Sequence, residues 1–293
     1  MKIMTKILII SVLLLLVGGI IFFLGFAANG FRFPTSFFTK DGLYVESAGE
    51  EIYKIEIDTS SEDVKIEYGD VFSVSYKDVY HREDTLYRAV TFETKGGVLK
   101  IDVLQFKLFL LSFGYPDVEI KVTVPKGRVC DISIDTVNGD INVLAQGEKI
   151  GTLDIESSNG DTKLTGVSAD AILYDTTNGD LVFRGETKAK SICIEATNGE
   201  VALENGSIKS EEIKIDTTNT DVELDGGNVA TDCLTYETTN GDLEIRLSGR
   251  REDYTVSYET TNGDTNIYPG GSGAKKISIH TTNGDVEVEF TEG

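Results

Sequence analysis

Eight acidic residues recur down this chain at nearly constant spacing: Asp140, Asp161, Asp180, Glu200, Asp221, Asp242, Asp264 and Asp285. Each stands two places after an asparagine, namely Asn138, Asn159, Asn178, Asn198, Asn219, Asn240, Asn262 and Asn283. The asparagines are 21, 19, 20, 21, 21, 22 and 21 residues apart, and all but Asn219 are followed by Gly. Carboxylates repeated this way suit two kinds of chemistry. They can accept backbone N–H bonds within their turns and otherwise face water. They can also hold a divalent cation between successive repeats, since Ca²⁺ takes several carboxylate and carbonyl oxygens. Asp180, Asp221, Asp242, Asp264 and Asp285 are the Ca²⁺ candidates on the second reading. The nine-residue Gly-rich repeat of Ca²⁺-loaded β-rolls is absent, so the structural role is preferred and no resident cofactor is expected.

Other chemistry finds little footing. His81 and His280 are the two histidines, and no metal-binding His pair, serine elbow, phosphate loop or Cys-x-x-Cys accompanies them. Acids are so numerous that no particular pair marks a glycosidase site. Arg184, Arg246, Arg250 and Arg251 read as solvated surface charge rather than as parts of a polysaccharide-cleaving groove. Cys130, Cys193 and Cys233 are odd in number and widely spaced, which is no disulfide or metal framework. No catalytic or cofactor-binding residue is expected, and the chain does not read as an enzyme.

The elements that position the acids follow from parity. Counting from each Asn, positions −6 and −4 are apolar, as in Ile132/Ile134, Leu153/Ile155 and Leu234/Tyr236. Position −2 is mostly Thr, and +3 and +5 are mostly apolar, as in Ile141/Val143 and Val286/Val288. Position −3 is ionisable throughout: Asp135, Glu156, Asp175, Glu195, Asp216, Glu237, Glu259 and His280. Alternation with period two is a strand signal, and the Thr, Val and Ile content agrees. Asn-Gly would close a tight hairpin in a meander. In a solenoid it would instead turn the chain from one flat sheet to the next. A meander has no need of Thr-Thr-Asn-Gly-Asp many times in register. Stacked coils do, because each residue lies ~4.8 Å above its equivalent. The expected fold is all-β, a single parallel β-solenoid of about 21-residue coils with Asn-Gly-Asp corners, each repeat stacked on the one before.

The regular coils span 128–293, and residues 45–127 read as irregular N-terminal β-coils and a cap. Ile55–Ile66 is a degenerate first rung, with Ser61 in the Asn place and Asp63 in the acid place. Strands are expected at 71–76, 89–94, 98–103 and 118–124, with a loop over 81–88. The apolar run Gln105–Tyr115 reads as a cap over the end of the core, with an exposed lip as the alternative. Residues 29–44 read as a linker. Residues 7–28 carry no charge and are long enough, at ~1.5 Å per helical residue, to cross a ~30 Å hydrocarbon core. They read as a transmembrane anchor rather than a cleaved signal peptide, behind a short cytoplasmic end at 1–6 that carries Lys2 and Lys6. The expected location is the cell membrane, single-pass, with the C-terminal bulk extracytoplasmic.

The net charge of −22 sits mostly in the coils, where residues 131–293 hold 32 acidic against 12 basic residues. Such a surface repels nucleic acid and suits cations or basic proteins. Expected partners are the membrane through 7–28 and a protein or cell-wall component; the oligomeric state is left open.

Three features resemble the bacterial putative-adhesin family whose β-strand-repeat domain has no known function, LiaG-like envelope proteins among them. These are the opening I-x-I-D-T-S-S-E-D-V-x-I at 55–66, the V-T-V-P-K segment at 122–126 and the I-x-I-x-T-x-N-G-D repeats from Ile132. The resemblance covers residues 45–293 and implies an extracytoplasmic β-solenoid tied to the cell envelope. It implies no activity. A membrane-anchored, non-enzymatic surface protein is the leading expectation. An accessory or sensor of an envelope-stress response is the alternative, and an enzyme acting on wall polysaccharide ranks below both.

Overall fold

The computed structural model describes residues 17–19, 37–47, 51–81, 85–105, 116 and 118–291. The strands are β1 (Phe37–Val45), β2 (Lys54–Thr59), β3 (Asp63–Gly69), β4 (Ser73–His81), β5 (Thr85–Lys95), β6 (Val98–Gln105) and β7 (Glu119–Pro125). They continue as β8 (Asp131–Thr136), β9 (Ile141–Leu144), β10 (Lys149–Asn159), β11 (Thr162–Thr165), β12 (Ser168–Asn178) and β13 (Leu181–Asn240). The last four are β14 (Leu243–Ser248), β15 (Tyr254–Asn262), β16 (Lys275–Asn283) and β17 (Val286–Thr291). The ribbon β13 is 60 residues long and runs on through the corners at Asn198 and Asn219.

Each coil has one strand before its corner and one after, and both pair in parallel with their equivalents. Ile155 lies beside Ile134 on one side and Tyr174 on the other, with Glu156 likewise between Asp135 and Asp175. After the corner, Leu164 lies between Val143 and Phe183. The apolar positions of both strands are buried, Tyr258 of the outermost coil only partly, and form one continuous core from Ile52 to Val288. A buried Ile or Leu contributes ~1.5–3 kcal/mol, so these columns hold the coils together. Solenoid architecture and the four apolar inward positions per coil are as the parity predicts, and the residue at −2 is buried with them in all but the end coils.

Coil order differs from chain order at both ends. The first coil, β2–β3, is sandwiched between β8–β9 and the later coil β6–β7. At the far end β16 pairs with the 233–240 segment of β13, and β15 lies outside β16. The last coil in sequence is therefore next to last in space. A uniform repeat fits either face of its neighbour equally well, and only the connections choose.

The N-terminal end is antiparallel rather than part of the parallel winding. Strand β4 pairs with β1, β5 and β7, and β5 pairs with β6. Residues 37–45 thus form a strand where a linker is expected, because Tyr44 stacks on Phe92 at 4.8 Å and bonds to Thr94. Strands β4 and β5 also reach into the expected loop at 81–88. The apolar segment 106–115 lies outside the described residues, as does 7–28 apart from 17–19. Among the described residues no helix is long and apolar enough to cross a membrane.

Candidate functional site along the Asn-Gly-Asp edge

Stacking converts the corner motif into two hydrogen-bond ladders, an unbroken one of asparagines and one of acids interrupted between Glu200 and Asp221. The side-chain amide of Asn159 donates to Oδ1 of Asn138 at 3.0 Å, Asn178 to Asn159 at 2.9 Å, and Asn198 to Asn178 at 2.8 Å. The series continues with Asn219 to Asn198 at 3.1 Å and Asn240 to Asn219 at 2.8 Å. It then follows space rather than sequence, from Asn283 to Asn240 at 2.8 Å and from Asn262 to Asn283 at 2.9 Å. Asn suits the position because one side chain both donates and accepts.

The acids form the second ladder. Except at Asp221, the backbone N–H of each acidic residue donates to Oδ1 of the acid one coil back. Asp140 donates to Asp63 at 2.9 Å, Asp161 to Asp140 at 2.9 Å, Asp180 to Asp161 at 3.1 Å, and Glu200 to Asp180 at 2.9 Å. Asp242 donates to Asp221 at 2.9 Å, Asp285 to Asp242 at 2.7 Å, and Asp264 to Asp285 at 2.7 Å. A charge-assisted bond to each carboxylate offsets the repulsion of stacked like charges. Four of the five Ca²⁺ candidates, Asp180, Asp221, Asp242 and Asp285, spend Oδ1 on this bond, while Asp264 ends the ladder. No group of three or more His, Cys, Asp or Glu among the described residues is arranged to hold a metal ion. Asp63 takes its place in the ladder as the degenerate first rung requires.

Glycine follows most corner asparagines for steric reasons. At Gly241, φ is +154°, and an added Cβ would run into the carbonyl oxygen of Thr220 one coil away. Where Thr220 itself replaces Gly, φ is not positive and the side chain is buried.

The ionisable −3 positions form an exposed column on the flat face beside the corner. In spatial order it reads Asp102, Asp58, Asp135, Glu156, Asp175 and Glu195. Past Asp216 it ends with His280 between Glu237 and Glu259. The His280 Nδ1 is 3.5 Å from a Glu259 oxygen. Sequence order hides that interleaving. Burial, then the charges of Asp135 and Asp102, raise the Asp58 carboxyl above its ordinary value. Glu200 and Glu244 are raised the same way, by burial first and neighbouring acids second. The −3 acids sit one per rung on a regular face, an arrangement that suits cations better than it sets up one acid–base pair.

Three of the four arginine side chains make ties, and at Arg250 the backbone does. Arg184 pairs with Glu204 at 2.6 Å, Arg246 pairs with Glu289 at 2.9 Å, and the Arg250 backbone N–H donates to Asp253. Arg251 donates to the carbonyls of Tyr254, Tyr268 and Gly270. Burial pushes the Cys130 thiol up to about 11, so it is an inert core residue.

A shallow groove of about 390 Å³, which the sequence reading misses, lies where the connections enter the coils. Lys188, Lys190, Lys209 and Lys275 line it with Asp170 and Asp232. Asp170 holds Lys149 at 3.1 Å and Lys190 at 2.9 Å, which depresses its pKa through those hydrogen bonds. These lysines fall in the stretches of variable repeat length, so no fixed spacing reveals them.

The profile of the Toastrack DUF4097 family matches residues 52–289. No curated protein sequence matches the chain. Among solved structures, a putative adhesin from Parabacteroides distasonis is similar at 14% identity and a TM-score of 0.55, over 85% of this chain and 97% of its own. A putative adhesin from Parabacteroides merdae is similar at 14% identity and a TM-score of 0.51, over 87% of this chain and 96% of its own. At such identity the likeness is one of fold.

Proposed function

We propose, from the premise that the chain belongs to the Toastrack DUF4097 family, that it is a non-enzymatic interaction protein of the cell envelope. It is held by residues 7–28 in the membrane, and its coils extend outside the cell. The rigid column of exposed acids at −3 carries this reading, because it presents negative charge at one fixed interval along a hydrogen-bonded scaffold. The partner it suits is a basic protein or a cationic wall component. The adhesin names of the structural neighbours agree with a surface role.

The test is binding of the full chain to a cationic oligolysine surface. The triple variant Glu156→Gln, Asp175→Asn, Glu195→Gln removes three adjacent column charges. At ~0.5 kcal/mol for each exposed charge pair the loss is ~1.5 kcal/mol, or roughly tenfold in affinity. A control that neutralises Glu186, Glu204 and Glu211 removes the same net charge elsewhere and should cost far less. Equal losses would show that net charge alone binds, and the column would have no special role.

A further inference from the structure

The two ends of the stack are finished differently. At the N-terminal end the antiparallel strands β4 and β5 cover the outermost coil, β6–β7. At the other end the cover stops halfway along β15. The guanidinium of Arg251 holds residues 268–270 against the start of that strand. There Val256 and Gly270 exchange two backbone bonds of 2.9 Å. Among the described residues no strand pairs with the outer edge of Ser257–Asn262. Backbone groups along a strand alternate between its two neighbours, so after Val256 the outward ones are those of Tyr258 and Thr260.

Both ladders have a direction. Every Asn side-chain amide, and every acid N–H bonded in the ladder, donates toward the N-terminal end of the stack, including Asn262 to Asn283 and Asp264 to Asp285. At the outermost coil the two side-chain ladders therefore end on acceptors, Oδ1 of Asn262 and the carboxylate of Asp264, with exposed Glu259 beside them.

We propose that this edge binds an extended basic segment of another protein, which adds as one more strand outside β15. Its N–H groups donate to Asn262 and Asp264, its backbone pairs with Tyr258 and Thr260, and a cationic side chain lies beside Glu259. This rests on reading the chain as an interaction protein and names one docking place on it. A second copy suits the edge poorly. Its N-terminal coil is covered by β4 and β5, and two of these acidic edges repel each other.

The experiment is hydrogen exchange on the full chain, alone and with a capped peptide of residues 275–284 carrying His280→Lys. That sequence already pairs with β15 from the inside. The expected result is at least tenfold slower exchange within 257–262 when the peptide is present, and no slowing with a peptide N-methylated at alternate amides. Thr260→Pro should weaken peptide binding at least tenfold, since it removes an outward N–H that an edge strand can spare. Thr260→Val should bind normally, because it loses only the hydroxyl bond to Thr281. The triple variant of the −3 column should retain peptide protection at 257–262, so the two readings fail separately. Protection of the Tyr258 and Thr260 amides in the free chain would overturn the proposal. So would equal binding of the N-methylated peptide, or a dimer in sedimentation that Thr260→Pro abolishes.

Discussion

Replacing Asp242 with Asn and with Ala separates the acceptor role of the corner acids from their charge. The Asp242 Oδ1 accepts the Asp285 N–H at 2.7 Å, and its own N–H reaches Asp221 at 2.9 Å. Asp242→Asn keeps an oxygen in place and removes one of the stacked charges. The lost charge assistance and the relieved repulsion are each a few tenths to ~1 kcal/mol and oppose one another, so little net change is expected. Asp242→Ala removes the acceptor outright and costs ~1 kcal/mol, because the Asp285 N–H must turn to water. For a chain of this size 1 kcal/mol lowers Tm by roughly 2–4 °C. Calorimetry of the full chain in matched NaCl and in Ca²⁺ reads both variants. If successive rungs chelate Ca²⁺, the ion stabilises the folded chain by ~2.7 kcal/mol at a hundredfold excess over Kd, and Asp242→Asn weakens that gain. The expectation is no Ca²⁺ excess over salt, with Asn near wild type and Ala below it. An Asn variant as unstable as Ala, together with a Ca²⁺-specific shift in the wild type, would refute the reasoning.

Three further measurements bear on the same structure. Gly241→Val should lower Tm by several degrees, since a β-branched side chain must displace the Thr220 carbonyl at a cost of ~1–3 kcal/mol; Ser248→Val is the control, and equal shifts would count against the corner packing. Asp58 has a raised folded-state pKa, so its ionised form opposes folding above that pKa and the opposition fades as pH falls through it. Asp58→Asn should therefore stabilise the chain by ~0.5 kcal/mol at pH 7 and match wild type near pH 3, as pH-dependent melting will show. Protease added to intact cells should digest the coils from about residue 45 onward, and a protected C-terminal domain would reverse the proposed topology.

Much of the architecture was legible in the residues because the solenoid stacks each position on itself. A column of Ile, Thr, Asn or Asp must suit ten or so near-identical neighbours, so the repeat announces both the strands and their inward faces. Ile134, Ile155 and Tyr174 could be placed side by side from spacing alone, and so could Asn138, Asn159 and Asn178. The same sameness hid the rest. A coil that fits either face of its neighbour carries no instruction about order, so the positions of β15 and β16, and of β2 and β6, were settled by tertiary contacts. The connection after Asn262 contains Gly271 and Gly273, which pass close to the backbone of Asp253 and Tyr254, and Arg251 fixes its path. That crossing puts His280 between Glu237 and Glu259 and leaves the outer edge of Ser257–Asn262 uncovered. The role of the corner acids was open in sequence because a carboxylate serves an amide or a cation equally well. It took the rung-to-rung distance to bring each Oδ1 within reach of the next N–H. Side chains on the same rung belong to local sequence; which rung lies above which belongs to the folded chain.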